Sequence, residues 1–121
     1  AEDERCEFVH GNFFELAAAG LTFGGEAPTA FDAVLVDIDH SPRHLLDPSN
    51  ARFYEPDGTE RLAASIRSGG VFSLWSNDPP DDPYLAVLEA AFDRAAAEVI
   101  TFRNVLTGGH TSSTIYLATV D

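Results

Sequence analysis

The sequence predicts an α/β fold, a mainly parallel sheet completed by an antiparallel β-hairpin. Three observations carry this. Short runs rich in β-branched and aromatic residues alternate with segments of helical spacing. The run Phe31-Asp32-Ala33-Val34-Leu35-Val36-Asp37 is apolar at five of seven positions, the pattern of a strand buried on both faces of a parallel sheet. Two strand-like runs then end the chain around Thr107-Gly108-Gly109-His110, a hairpin signal.

Taken in order, residues 1–5 are polar and read as a frayed end. Glu7-Phe8-Val9-His10 reads as a short strand and Gly11-Asn12 as a turn. Asn12 can cap a helix, with Glu15 in the position of a capping box, and that helix runs from Phe13 to Ala19 before Gly20 stops it. Residues 20–30 hold three glycines and a proline and form a loop. After the 31–37 strand, a long connection spans 38–56, with Pro42, Pro48 and Pro56 and a helical turn over Ala51–Tyr54. Connections of this length inside a domain often carry function.

Asp57 caps the next helix, with Glu60 at the box position and Leu62, Ala63 and Ile66 on one apolar face. Ser68-Gly69-Gly70 ends it, and Val71–Trp75 follows as a second buried strand. Asp82 caps a further helix with Pro83 at its first position, and Leu85, Leu88, Phe92 and Ala95 recur at helical spacing. Glu98–Arg103 and Ser113–Thr119 are the strands of the hairpin. The order is β-α-β-α-β-α-β-β, the signature of strand–helix units in a parallel sheet. A chain of 121 residues has room for one domain, expected to cover residues 1–121.

Composition narrows the partners. The formal charge is −13, lysine is absent, and all seven basic residues are arginine. An acidic chain without a basic stripe speaks against nucleic acid and anionic membrane as partners. The one cysteine, Cys6, permits no internal disulfide and fits a reducing, cytoplasmic setting. Its alternating neighbourhood reads it as a small core residue. No apolar run reaches the length of a membrane span. Methionine is absent even at position 1, so a processed or truncated chain is expected.

The order of elements, with the residues at their junctions, resembles the carboxyl-terminal two-thirds of a class I S-adenosylmethionine-dependent transferase, in particular the spermidine synthase-like branch. The residues carrying the resemblance are Val9–Glu15, Phe31–Asp37, Phe53-Tyr54, Ser68–Phe72 and Thr111–Ala118. It implies a truncated Rossmann-like fold in which the strand ending near His10 is the third of the family's sheet and Phe31–Asp37 the fourth. The family's first two strands, which lie between them and carry the glycine-rich donor loop and the ribose-binding acid, have no counterpart in this sequence. The implied donor is S-adenosylmethionine or its decarboxylated form, and the implied reaction is methyl or aminopropyl transfer to a small acceptor, as in polyamine synthesis.

The resemblance further implies residue roles. Asn12 stands where an acidic residue meets the adenine amino group, and the Phe13 N–H where adenine N1 is bound; Asn12 reads equally as a helix N-cap. Asp37 matches the first acid of the spermidine synthase segment that positions and deprotonates the attacking amine, and so it also touches the donor side. The second acid of that segment falls at His40, a departure from a polyamine site. The family's glutamine at the end of the next strand falls near Trp75, which reads better as a half-buried packing residue.

Two metal arrangements are weighed. Asp37 with Asn77 and Asp78 would suit Mg²⁺ as in catechol-type methyltransferases. Asp39, His40, His44 and Asp47 would suit a transition metal, but Pro42 opposes a helix presenting both histidines on one face, and no cysteine joins them. The histidines are read as surface-loop residues, and no metal is expected. The alternative to an enzyme is an inactive transferase-like module, self-associating as a homodimer through the sheet edges left by the absent strands.

Overall fold

A computed structural model describes residues 3–21 and 30–121. The predicted loop 20–30 and the end at residues 1–2 therefore fall largely outside the described residues. Helix α1 (Phe13–Ala18) leads to strand β1 (Phe31–Val36), then a 3₁₀ helix (Pro48–Tyr54), helix α2 (Pro56–Ala64) and strand β2 (Ile66–Ser76). Helix α3 (Asp82–Ala91) and the hairpin of β3 (Arg94–Arg103) and β4 (His110–Thr119) complete the chain.

The sheet order is β1-β2-β4-β3. β1 and β2 are parallel, with Val36 opposite Leu74. β4 is antiparallel to both its neighbours, with Tyr116 opposite Leu74 on one side and Ala97 on the other. The closing strand thus inserts between β2 and β3, so three strands share one direction while only one ladder is parallel. Among the described residues this is an open, mixed α/β sheet of four strands.

Strand β2 alternates cleanly: Phe72, Leu74 and Ser76 are buried, while Val71, Ser73 and Trp75 are half-buried on the opposite face. Phe72, Leu74, Tyr116 and Ala118 form the sheet side of the core. Leu62, Tyr84 and Leu88 from α2 and α3 cover them, with Phe53 and Tyr54 of the 3₁₀ helix. Phe53 is the hub of this aromatic packing, with ring centroids 5.5 Å from Phe13, 5.2 Å from Tyr54 and 6.2 Å from Phe72. Edge contacts of this kind add to what burial alone contributes.

The opposite sheet face is open, and this corrects the expectation that 31–37 is buried on both sides. Leu35 is 75% exposed, and Leu117 on β4 is exposed as well. The expected strand Glu7–His10 does not form: residues 6–10 carry no ladder bond, and Phe8 is 79% exposed. A strand needs a neighbour to satisfy its backbone groups. Among the described residues no strand of the sheet pairs with this segment. Cys6 lies on the same exposed segment and is not a core residue.

Several boundaries also move. α2 starts at Pro56, so Asp57 lies inside the first turn and Glu55 is the cap position, without a side-chain bond. Ile66 belongs to β2, not to α2. β2 reaches back past the glycines through a register shift opposite Phe31–Ala33. Gly69 takes φ +83°, and a Cβ on Gly70 would stand 2.9 Å from the Asp32 carbonyl oxygen, so glycine is needed where the strand bends. α3 ends at Ala91, and its cap is Asp81, which shifts the predicted cap and proline by one residue. Ala95 sits on β3, because pairing with β4 from Arg94 onward overrides the helical spacing. No helix among the described residues is long and apolar enough to cross a membrane.

Candidate functional site

The carboxyl ends of β1 and β2 meet at one edge of the sheet, where open α/β folds bind ligands. Two loops leave this edge, 37–47 from β1 and 77–81 from β2, and they are tied together. The Asn77 N–H donates to the His40 carbonyl at 2.9 Å. The Arg43 guanidinium pairs with the Asp81 carboxylate. His44 and His40 both reach Asp78.

Asp37 is the first residue past β1. It is exposed, with no side-chain hydrogen bond among the described residues. Two residues on, Asp39 turns inward and is 5% exposed. Its carboxylate accepts from the Leu46 N–H (2.7 Å), Asn50 Nδ2 (3.1 Å) and the Tyr54 hydroxyl (2.8 Å). Burial, with the hydrogen bond to Asp39 second, pushes the Tyr54 hydroxyl far above its ordinary value. Asp39 is therefore the residue that pins the 38–56 connection, and the periodicity of the sequence carried no sign of this. A search for a polar residue two places from the strand end, facing a Tyr and an Asn downstream, would have been needed to find it.

Ser41 is buried and forms the next turn. Its Oγ accepts from the Arg43 N–H (3.2 Å) and the His44 N–H (3.0 Å). On the other loop, Ser76 Oγ accepts from the Asp78 N–H at 3.2 Å, and Thr114 Oγ1 donates to the Asp78 carbonyl at 2.8 Å. Asp78 thus stands on a strand end whose buried partners fix it. The Ser41 hydroxyl, then His44 and His40, hold the Asp78 carboxyl below its ordinary value.

Asp81 caps α3 by accepting from the Tyr84 N–H at 3.2 Å. Its own N–H donates to the Tyr116 hydroxyl at 2.8 Å. Chiefly the Arg43 hydrogen bond holds the Asp81 carboxyl below its ordinary value of 3.8. Asp81→Ala should cost about 1–2 kcal/mol at pH 7, from the lost cap together with the lost ion pair. A depressed carboxyl contributes stability that is present above the unfolded value and lost as pH falls through the folded one. The gap between wild type and variant, measured by urea unfolding, should therefore persist down to about pH 4 and close below it.

Asn12 is the N-cap of α1, its Oδ1 accepting from the Phe14 N–H at 2.9 Å and the Glu15 N–H at 3.4 Å. The Asn12 side chain does not take the Phe13 N–H, the first amide of that turn. Asn12 lines a groove of about 420 Å³ between α1, the 3₁₀ helix and α2, together with Phe14, Arg52 and Arg61. Asp37 and His40 do not line it. The structure thus brings together His40, His44 and Asp78, leaves Asp37 on the loop of the two histidines but outside that cluster, and keeps Asn12 at the N-terminus of α1. The grouping with Asp39 and Asp47 does not form: Asp39 is buried in its own network, and Asp47 caps the 3₁₀ helix through the Ser49 N–H.

No family model matches the sequence. No curated protein matches it either. Solved structures do match. Human methyltransferase-like protein 13, crystallised with S-adenosylhomocysteine, aligns with 100% of this chain and 52% of its own at TM-score 0.72 and 20% identity. A probable spermidine synthase from Corynebacterium glutamicum aligns with 90% of this chain and 36% of its own at TM-score 0.58 and 15% identity. The fold is that of class I S-adenosylmethionine-dependent transferases, and the chain spans about a third to a half of the structures it matches.

Proposed function

We propose that this chain is the acceptor-side portion of a transferase using an adenosyl sulfonium donor, S-adenosylmethionine or its decarboxylated form, with a small molecule as acceptor. The observation that carries the reading is the placement of the free carboxylate of Asp37 at the carboxyl end of β1, in a fold shared with an S-adenosylhomocysteine complex. In such a displacement the acceptor lone pair forms the new bond to carbon as the C–S bond breaks, and the thioether leaves neutral. The protein aligns the reacting atoms, and Asp37 takes the proton released by the acceptor. His40 stands beside this path as a second proton-handling group. Asn12 and the Phe13 N–H would face the adenine, which requires the Asn12 oxygen to be shared with its cap bonds. A histidine in place of the second acid favours methyl transfer over aminopropyl transfer. The lone, exposed Cys6 suits a reducing, cytoplasmic compartment.

Donor binding tests this directly. S-adenosylhomocysteine should bind this segment weakly, because nothing in it supplies the glycine-rich loop. A length extended by any strand and glycine-rich turn encoded upstream of Ala1 should bind at least about tenfold more tightly by calorimetry. Equal, negligible binding by both lengths would reject the transferase reading.

The second reading, a module that self-associates, draws on the open sheet face bearing Leu35 and Leu117. Light scattering separates the two: a dimer that binds no donor at either length would favour the module.

A further inference from the structure

We propose that His40, His44 and Asp78 form a binding site for one divalent transition-metal ion, bridging the loops that follow β1 and β2. The site goes beyond the transferase reading and stands whether or not the chain transfers a group. One potential ligand atom from each of the three side chains lies within 4.8 Å of the other two. His40 Nε2 is 3.3 Å from Asp78 Oδ1, and His44 Nδ1 is 2.5 Å from Asp78 Oδ2. A tetrahedral ion with Zn–N and Zn–O bonds near 2.0–2.1 Å sets its ligand atoms about 3.3 Å apart. The His40–Asp78 spacing already matches. The remaining adjustment falls on histidine side chains that are half or more exposed.

The arrangement answers the objection that Pro42 raises. Pro42 does prevent a helix, but the Ser41 turn brings the rings together without one, their centroids 5.6 Å apart. The third ligand comes from a different strand end, held by Ser76 and Thr114. Two imidazoles and one carboxylate select a borderline ion such as Zn²⁺, Co²⁺ or Fe²⁺ over Mg²⁺, which demands oxygen ligands. Asp37 lies outside the cluster, so this is not the Asp37–Asn77–Asp78 arrangement weighed for Mg²⁺. Asn77 Nδ2 lies 3.4 Å from His40 Nδ1, while its Oδ1 accepts from Trp75 Nε1. Coordination through Nε2 leaves the imidazole proton on Nδ1 and turns this amide aside. That cost, with three protein ligands and an exposed fourth position, makes the site an exchangeable one.

The test is titration of the metal-stripped, untagged protein with Co²⁺, followed by visible absorption, and with Zn²⁺, followed by calorimetry. One equivalent should bind, with the d–d bands of a low-coordinate nitrogen and oxygen site. His44→Ala and Asp78→Asn should each weaken binding at least about tenfold, a loss that even outer partners of metal ligands can cause. His10→Ala and His110→Ala, at the remaining two histidines, should bind as wild type. Far-UV circular dichroism checks that each variant is folded. Zn²⁺-induced shifts confined to two of the four histidine ring signals give a readout on the unmutated protein. Absence of stoichiometric binding by wild type, or binding that survives the His40→Ala/His44→Ala double change, would overturn the site.

Discussion

Asp39→Ala should lower the unfolding free energy by about 3 kcal/mol, the largest stability loss expected from any polar residue in the 37–47 loop. The carboxylate is 5% exposed and accepts from a backbone amide, an amide side chain and a phenol. Hydrogen bonds to a charged group contribute roughly 1.5–3 kcal/mol each, and a buried donor left unmade costs about 1–3 kcal/mol. The relief of desolvating one carboxylate offsets part of that sum. Tyr54 is 8% exposed and Asn50 5%, so water cannot readily replace the lost acceptor. Urea unfolding measures the loss, and hydrogen exchange should show the Leu46 amide losing protection first. A loss under about 1 kcal/mol would mean that the loop rearranges to satisfy these donors itself. The same network holds the loop that carries Asp37, His40 and His44.

On the proposed transferase reading, Asp37→Asn should reduce the rate of transfer about a hundredfold or more while leaving donor affinity within about twofold, the pattern of a lost proton acceptor. Asparagine keeps the size and one acceptor oxygen but cannot take a proton at neutral pH. The measurement uses labelled S-adenosylmethionine against a panel of small amine and hydroxyl acceptors, on the length of chain that binds the donor. Full retention of the rate would remove Asp37 from the chemistry and point to His40. Weaker donor binding with an unchanged rate would instead give Asp37 a purely positional role.

These two aspartates, two residues apart, show where reading the chain unaided succeeds and where it stops. Strand β1 was legible because a run of apolar residues ending in Asp37 has few other solutions. The hairpin was legible because Gly108-Gly109 supplies a turn, Gly108 having φ +76°. The Asn12 cap was legible because capping is local, acting over two or three residues. The solved structures bear out the resemblance at the level of fold.

What spacing alone could not decide was every feature that depends on a distant partner. Glu7–His10 has the composition of a strand, but strand formation needs a partner strand, and among the described residues this segment joins no ladder. Ala95 has helical spacing, yet the ladder from Arg94↔Thr119 claims it for β3. Leu35 has the pattern of a residue buried on both faces, and only tertiary structure shows that helices cover one face and leave the other open. Asp39 and Asp37 look alike in sequence, and the presence of Asn50 and Tyr54 on one side alone separates a buried anchor from a free carboxylate. His40, His44 and Asp78 could not be grouped by spacing, because Asp78 arrives from a second strand end brought beside the first by the β1–β2 ladder. Sequence by itself determined the elements whose physics is local and the fold their order implies. The tertiary structure decided which side chains meet, because contact energies depend on neighbours that the chain brings from far along its length.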